Sequence, residues 1–331
     1  MISANYSGKE TIMEKILTIT IPSYNVEKYL DETLPHYFDE RVLPDIEILI
    51  VNDGSKDNTL AIANGYHEKY PESVFVIDKP NGGHGSTINA GIAAAHGKYF
   101  KVIDADDWVD TESFVKLIDT LKKVDTDLVL TPFERVIEGT DRKESVDFSG
   151  VEYDKVCDFD SVIGGLEDCY QLHSATFRTD IMRKIPAISE NCFYVDQEYV
   201  LYPVRFVKTV YFLNAHVYQY RIGNAGQSMA VANLQKNRRM HQKVTMNMVR
   251  YAKEMDFSEN KQSFLNKRAS ALVYKTLEIL LSMGKSSKSE WVQFADVLKE
   301  KYPDIYKCVP GKKAALLRMS GNALYSIISK L

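Results

Sequence analysis

The chain is 331 residues long, 45% hydrophobic and 26% charged, a composition that builds a soluble globular protein of one large or two smaller domains and excludes a disordered or fibrous one. Lysine and arginine number 41 against 45 aspartates and glutamates, a formal net charge of -4. No general polyanion-binding surface follows from that balance, and nucleic acid is not an expected partner.

Residues 1–14 form an N-terminal tail with no apolar run of signal-peptide length, so Asn5-Tyr6-Ser7 reads as a chance sequon, and Met13 is a second candidate start. From Ile16 onward, apolar runs at 16–21, 46–51, 74–77, 99–103 and 127–131 alternate with helical patterns. This is the signature of repeated βα units, which build an α/β fold with a mainly parallel sheet covered on both faces. Past Thr131 the chain turns α+β. Short segments at 134–138 and 145–149 precede a helix near 159–170, a strand over 172–177, a helix over 196–207 and strands at 210–213 and 216–222. After the loop at 223–228, apolar residues at three- and four-residue spacing predict helices over 233–255, 259–283 and 287–301, a C-terminal helical region. No stretch approaches the ~20 uncharged apolar residues that a membrane span needs. Cys157, Cys169, Cys192 and Cys308 form no CxxC pair and read as reduced thiols of a cytoplasmic protein.

Two nucleotide motifs fail. The stretch Gly91 to Lys98 has one residue too many between its glycines for a Walker A loop, with Tyr99 where Ser or Thr belongs. The first strand exits into PSYN rather than the glycine-rich turn of a dinucleotide-binding unit. Ligands of parallel sheets sit at the C-terminal ends of the strands, and polar residues gather at those exits: 22–25 after the first strand, 52–55 after the second, 79–83 after the third and 104–107 after the fourth. The last is DADD. Three carboxylates within four residues repel one another, and hard oxygen ligands of this kind suit Mg or Mn. The alternative is a solvated acidic turn that caps the helix starting near Thr111. For Asp53-Gly54-Ser55 the alternatives are a nucleoside contact and an ordinary turn or N-cap.

In order and spacing, ITIPSYNVEKYL, IEILIVNDGSKDNT, NGGHGSTINAGIAAAHGKYFKVIDADD, FYVDQEY and VYQYRIGNAGQS resemble the family-2 glycosyltransferases of the GT-A fold, similar to bacterial surface and capsular polysaccharide enzymes. The resemblance covers roughly 15–228, leaving 229–331 as a helical appendage. It implies donor binding by Pro22, Tyr24, Asn25, Glu27 and Asp53 at the nucleoside, by Lys79, Gly83, Ser86 and Asn89 along the third exit, and by Asp104, Ala105 and Asp106, with Asp104 near the ribose and both Asp104 and Asp106 at a divalent metal, Mn or Mg. Relatives often carry Ala-Arg-Asn where this chain has Thr87-Ile88-Asn89, so Lys79 or Arg221 is the candidate to supply positive charge near the diphosphate, with a surface cation as the alternative for each. The family's general base aligns with Asp196, and a helix N-cap is the competing role; Glu198 is the next candidate base. Trp108 and His173 are weaker candidates for the acceptor side, each with core packing as the alternative.

The implied activity is inverting, metal-dependent transfer of a sugar from a nucleotide-diphosphate donor, a UDP-sugar, to a glycan or lipid-linked acceptor. Rival readings are a nucleotidyltransferase and a non-catalytic sugar-nucleotide-binding protein. The tail over 311–331 is locally basic, with Leu316, Leu317, Met319, Ala323, Leu324, Ile327, Ile328 and Leu331 expected on one helical face. Such a stripe serves peripheral contact at the inner face of a membrane, packing on the helical appendage, or a homodimer.

Overall fold

The computed structural model describes residues 15–166, 169–223 and 230–330; the N-terminal tail, most of the loop at 223–228 and Leu331 lie outside them. The first two strands, β1 (Leu17–Ser23) and β2 (Ile46–Asn52), consist mainly of β-branched and apolar residues and are buried at nearly every position. That is the pattern of strands covered on both faces. They pair in parallel with each other, and β3 (Val74–Asp78) and β4 (Tyr99–Val102) flank them. The remaining strands in chain order are β5 (Trp108–Val109), β6 (Leu128–Leu130), β7 (Phe133–Ile137), β8 (Lys143–Val146), β9 (Val156–Asp158), β10 (Ala175–Arg178), β11 (Thr209–Phe212) and β12 (Tyr218–Ile222).

An eight-stranded sheet runs β3-β2-β1-β4-β10-β6-β11-β9, and a four-stranded sheet runs β5-β12-β7-β8. Within the large sheet only β10 and β9 are antiparallel to their neighbours. Helices α1 (Glu27–Thr33), α2 (Thr59–Lys69), α3 (His84–Ala94) and α4 (Thr111–Lys123) follow the first strands. The fold is α/β and GT-A-like, with the expected mainly parallel sheet and a helical C-terminal region.

Several boundaries differ from the periodicity, each for a local reason. The strand expected over 172–177 begins at Ala175, because the Ser174 hydroxyl accepts from the Gln171 amide at 3.1 Å and holds a turn. The helix expected over 196–207 ends at Leu201 and gives way to a 3₁₀ turn (Tyr202–Arg205) containing Pro203, which has no amide to donate. The helix near 159–170 shrinks to Phe159–Val162 before a 3₁₀ turn carrying Gly164 and Gly165. The first C-terminal helix splits at Asn237 into Val231–Lys236 and Arg238–Glu254, followed by Glu259–Ser282 and Lys288–Lys301. The tail is not one amphipathic helix, since Gly321 and Asn322 take left-handed φ of 56° and 68° and end the helix that begins at Lys312. Ala314, Leu317, Tyr325 and Ile328 pack inward, whereas Leu316, Met319 and Ile327 are exposed.

One hydrophobic cluster runs from β1 and β2 through to Leu277, Leu280 and Trp291 of the C-terminal helices. Phe264 meets Tyr170 edge-on at 5.8 Å across that junction. None of the four cysteines is in a disulfide. Among the described residues, no helix is long and apolar enough to cross a membrane.

The close approach of the chain before β4 to β1 depends on Gly97, where an added Cβ would lie 2.4 Å from the backbone nitrogen of Thr18. A strand backbone cannot yield as a side chain does. We expect Gly97→Ala to lower the urea unfolding free energy by roughly 1–3 kcal/mol, the usual scale of overpacking; an unchanged midpoint would refute this packing account.

Candidate active site

The site is assembled where β1, β2, β3 and β4 end. The first two exits are knitted to each other. Asn25, in a left-handed conformation at φ 53°, accepts from the Lys56 amide at 2.8 Å and donates its own amide to Ser55 Oγ at 3.0 Å. Glu27 accepts from the Asn58 amide and from Asn58 Nδ2, both at 2.8 Å, just ahead of α2. Tyr24, between Pro22 and Asn25, is left 49% exposed.

Asp53 is buried and saturated by its own chain. Its Oδ1 accepts from Lys79 Nζ at 2.7 Å and the Gly82 amide at 2.9 Å, and its Oδ2 from the Gly83 amide at 2.8 Å. Lys79 completes its donors on the Pro80 carbonyl (2.8 Å) and Ser86 Oγ (2.7 Å). The structure thus brings Asp53, Lys79, Gly83 and Ser86 together, as an internal cluster that shapes the third exit. Asn89 exchanges two hydrogen bonds of 2.9 Å with the backbone of Ile188 and so ties α3 to the segment that leads to Asp196.

The DADD turn is held from the second sheet. The Tyr218 hydroxyl donates to Asp107 Oδ2 at 2.6 Å and accepts from the Asp104 amide at 3.2 Å. The Arg221 amide donates to Asp107 Oδ1 at 2.7 Å. Arg221 Nε donates to the Asp106 carbonyl at 2.8 Å, and its Nη2 to Glu32 at 2.8 Å. The guanidinium also lies over the Trp108 ring, 4.9 Å from its centroid. Buried Ala105 accepts from Thr33 through its carbonyl at 3.2 Å. The turn does not cap α4, because Asp110 does that by accepting from the Ser113 amide at 3.0 Å.

Four ionisable groups from three segments then face one another. His84, first residue of α3, places Nε2 3.0 Å from Asp104 Oδ1. Burial opposes charge on the His84 ring, but the carboxylates of Asp104, Asp196 and Asp106 outweigh it and hold its pKa above the ordinary value. Burial would also lift Asp104, but the adjacent His84 reverses this and holds it low. Burial, reinforced by Asp104, pushes Asp106 up to about 6. Asp196 is the first residue of the helix Asp196–Leu201, not its N-cap, which is Val195. Burial holds its carboxyl above the usual range, and its hydrogen bond is from Gln197 Nε2 at 3.0 Å. Glu198 is fully buried and saturated by Ser189 and by Asn247 of the helix Arg238–Glu254, which removes it as an alternative base.

His173 sits among Phe133, Tyr218 and Tyr220, stacked on Tyr220 at 4.2 Å, and burial pushes its pKa down to about 4. Its carbonyl accepts from Lys101 Nζ at 2.9 Å. Lys101 was missed in the sequence, although it is the one charge in the apolar run YFKVI. It is fully buried and its ammonium rests on the carbonyls of His173 and Ala175. His84 was missed as well, hidden inside a glycine-rich turn.

Among the described residues, no group of three or more His, Cys, Asp or Glu is arranged to hold a metal ion alone. Two carboxylate oxygens donors, from Asp104 and Asp106, nonetheless fit a hard cation that completes its shell with water and substrate phosphates.

Carboxylates from three segments thus gather at the strand exits of a mainly parallel sheet, on an α/β fold of the GT-A type. Residues 18–185 match the Glycosyl transferase family 2 sequence model, and the chain belongs to that family. It is 35% identical over 134 residues to the uncharacterized glycosyltransferase EpsJ of Bacillus subtilis (strain 168), covering 40% of this chain and 38% of that one. It is 32% identical over 118 residues to the minor teichoic acid biosynthesis protein GgaB of the same organism, covering 35% of this chain and 13% of GgaB. Each match thus spans well under half of the relative. In fold it is similar to S. aureus TarS 1-349 in complex with UDP-GlcNAc, with a TM-score of 0.66 and 16% identity, covering 95% of this chain and 90% of that one. It is also similar to the mannosyltransferase PcManGT from Pyrobaculum calidifontis in complex with GDP-Man and Mn2+, with a TM-score of 0.53 and 14% identity, covering 95% and 85%.

Desolvation alone pulls Lys101 from its ordinary value of 10.5 to about 7. Between those two values the unfolded chain binds more protons at this residue than the native one, so stability rises with pH across that window and the penalty is complete below about 7. Urea titrations of the wild type and Lys101→Met should therefore diverge with pH, the wild type gaining relative to the variant between pH 7 and 10. Parallel curves would show that Lys101 is not desolvated.

Proposed function

We propose that the chain transfers a sugar from a nucleotide-diphosphate donor, of the UDP-sugar class, to an acceptor hydroxyl with inversion at the anomeric carbon. The observation that carries this is the convergence of Asp104, Asp106, His84 and Asp196 from three segments at the sheet's ligand-binding edge. TarS binding UDP-GlcNAc on a similar fold supports the donor class.

Asp104 and Asp106 would hold a divalent cation, Mn or Mg, jointly with the donor. When bound, such a cation stabilises negative charge on the leaving diphosphate. Asp196 takes the acceptor hydroxyl's proton as that oxygen bonds to the anomeric carbon and the bond to the diphosphate breaks. Its elevated pKa suits a group that must accept a proton near neutral pH. Exposed Tyr24 and neighbouring Pro22 offer a face for the base. Asn25, Glu27, Asp53 and Lys79 act by shaping that exit, since their polar atoms are engaged within the protein. Surface polysaccharide assembly is the pathway supported by the kinship with GgaB.

A lipid-linked acceptor would place the enzyme at a membrane surface. Exposed Leu316, Met319 and Ile327, near Lys312, Lys313 and Lys330 in sequence, support peripheral contact there.

Asp196→Asn should leave UDP binding nearly intact while transfer falls by about 10²-fold or more; transfer at the wild-type rate would place the base elsewhere. Asp106→Ala should abolish the tightening of UDP binding by Mn, read by calorimetry, and equal wild-type affinity in Mn and in EDTA would remove the metal role. The full chain should float with anionic liposomes at low salt and the triple variant Leu316→Gln, Met319→Gln, Ile327→Gln should not. Equal recovery of both in the bottom fraction would leave the tail a packing role only.

A further inference from the structure

A groove of about 700 Å³ lies between the helices Arg238–Glu254 and Lys288–Lys301, outside the site described above. Arg239, Lys243 and Arg250 line it. At 100° per residue, positions four and eleven apart fall within ~40° of one face, and eleven residues rise ~16 Å, so the three cations form a row along one helix. All three are exposed, and among the described residues none makes a hydrogen bond or ion pair with the protein. Arg238, one residue earlier, behaves differently and pairs with Glu290 at 3.0 Å. Among the described residues, Glu290 is the only acidic one lining the groove, and that pairing neutralises it. A local excess of three positive charges results, in a protein whose net charge is -4.

The row's position connects it to the chemistry. Asn247 lines the same groove and donates to Ser189 Oγ at 3.1 Å and to Glu198 Oε1 at 2.8 Å, bracing the segment that carries Asp196. Tyr194 meets His241 of this helix edge-on at 5.3 Å. A chain lying along the row therefore follows the helix that supports the general base. Phe294 lines the opposite wall.

We propose that this groove seats a polyanionic acceptor chain, a glycan or polyol polymer bearing phosphate or carboxylate groups at repeating intervals. The proposal rests on the transferase reading, which requires an acceptor. A lone phosphate would engage one of the cations at a time, whereas a row of three unpaired charges in an open trough matches a repeating anion.

The test measures binding of sodium polyphosphate, polygalacturonate and neutral dextran to the full chain at low salt by calorimetry, with UDP binding measured on the same wild-type preparation. We expect at least one of the two anionic polymers to bind, phosphate and carboxylate sources being told apart by which one, while dextran does not. Lys243→Glu with Arg250→Glu should weaken that binding by about 10-fold or more, and the milder Lys243→Gln with Arg250→Gln should weaken it less, with far-UV circular dichroism unchanged. Binding of dextran as tightly as the polyanions, unchanged polyanion affinity in both variants, or groove-dependent binding of anionic vesicles without polymer binding would each overturn the proposal. UDP binding without polymer binding would sink the groove alone, whereas polymer binding without UDP binding would sink the transferase reading.

Discussion

Three aspartates in four residues, brought to the end of a buried strand, set the constraint around which this site is built. At an effective dielectric of ~20, two unit charges 4 Å apart interact by about 4 kcal/mol, so the turn persists only if its charges are separated or answered. The fold does both. Asp107 is turned into the second sheet and bonded by Tyr218 and the Arg221 amide. Asp104 is answered by His84 from α3, and Arg221 grips the Asp106 carbonyl while stacking over Trp108. The carboxyl of Asp106 is only partly answered, and burial and Asp104 lift its pKa to about 6. A divalent cation would relieve that state, so the neutralising work left undone by the protein is what a ligand can do.

The second organising element is Asp53, whose carboxylate gathers donors from Lys79, Gly82, Gly83 and Ser86. Burying a carboxylate without partners is prohibitive, and saturating it makes it a rigid anchor. The consequence is a division of labour along the sheet edge. The second and third exits are fixed internally by Asp53 and Lys79. In the proposed function, recognition of a base falls to the exposed Tyr24, and recognition of charge to the DADD turn and His84.

The legible part of this architecture was the part written in periodicity and in strand exits. Runs such as ITI and ILIV declare strands covered on both faces, and DADD after YFKVI marks the edge where ligands bind. Less legible were contacts between segments distant in sequence. Nothing near Glu198 announces that Ser189 and Asn247 would saturate it, so it stood beside Asp196 as a candidate until the helix Arg238–Glu254 was in place. Lys79 and Arg221 read as free cations available to a diphosphate because their partners, Asp53 and the Asp106 carbonyl, lie 26 and 115 residues away. His84 and Lys101 carried weak signals, one inside a glycine-rich turn and one as a single charge in an apolar strand. The tail's helical stripe was real in composition but broken by the left-handed pair Gly321 and Asn322, a local backbone preference that outweighs periodicity.

The C-terminal helices are more than an appendage to this crevice. Asn89 ties α3 to Ile188, Ser189 and Glu198 are joined by hydrogen bonds, and Asn247 locks that pair to the helix Arg238–Glu254. The segment carrying Asp196 is thus clamped between the helix that presents His84 to the DADD turn and a helix from the opposite end of the chain. The base proposed at Asp196 needs to be held firmly, and a short helix preceded by left-handed Asn191 and Tyr194 has little rigidity of its own. The polar bridge through Glu198 supplies it. One connected network therefore joins the DADD side of the site to the segment of Asp196, with the buried carboxylate of Glu198 at its centre.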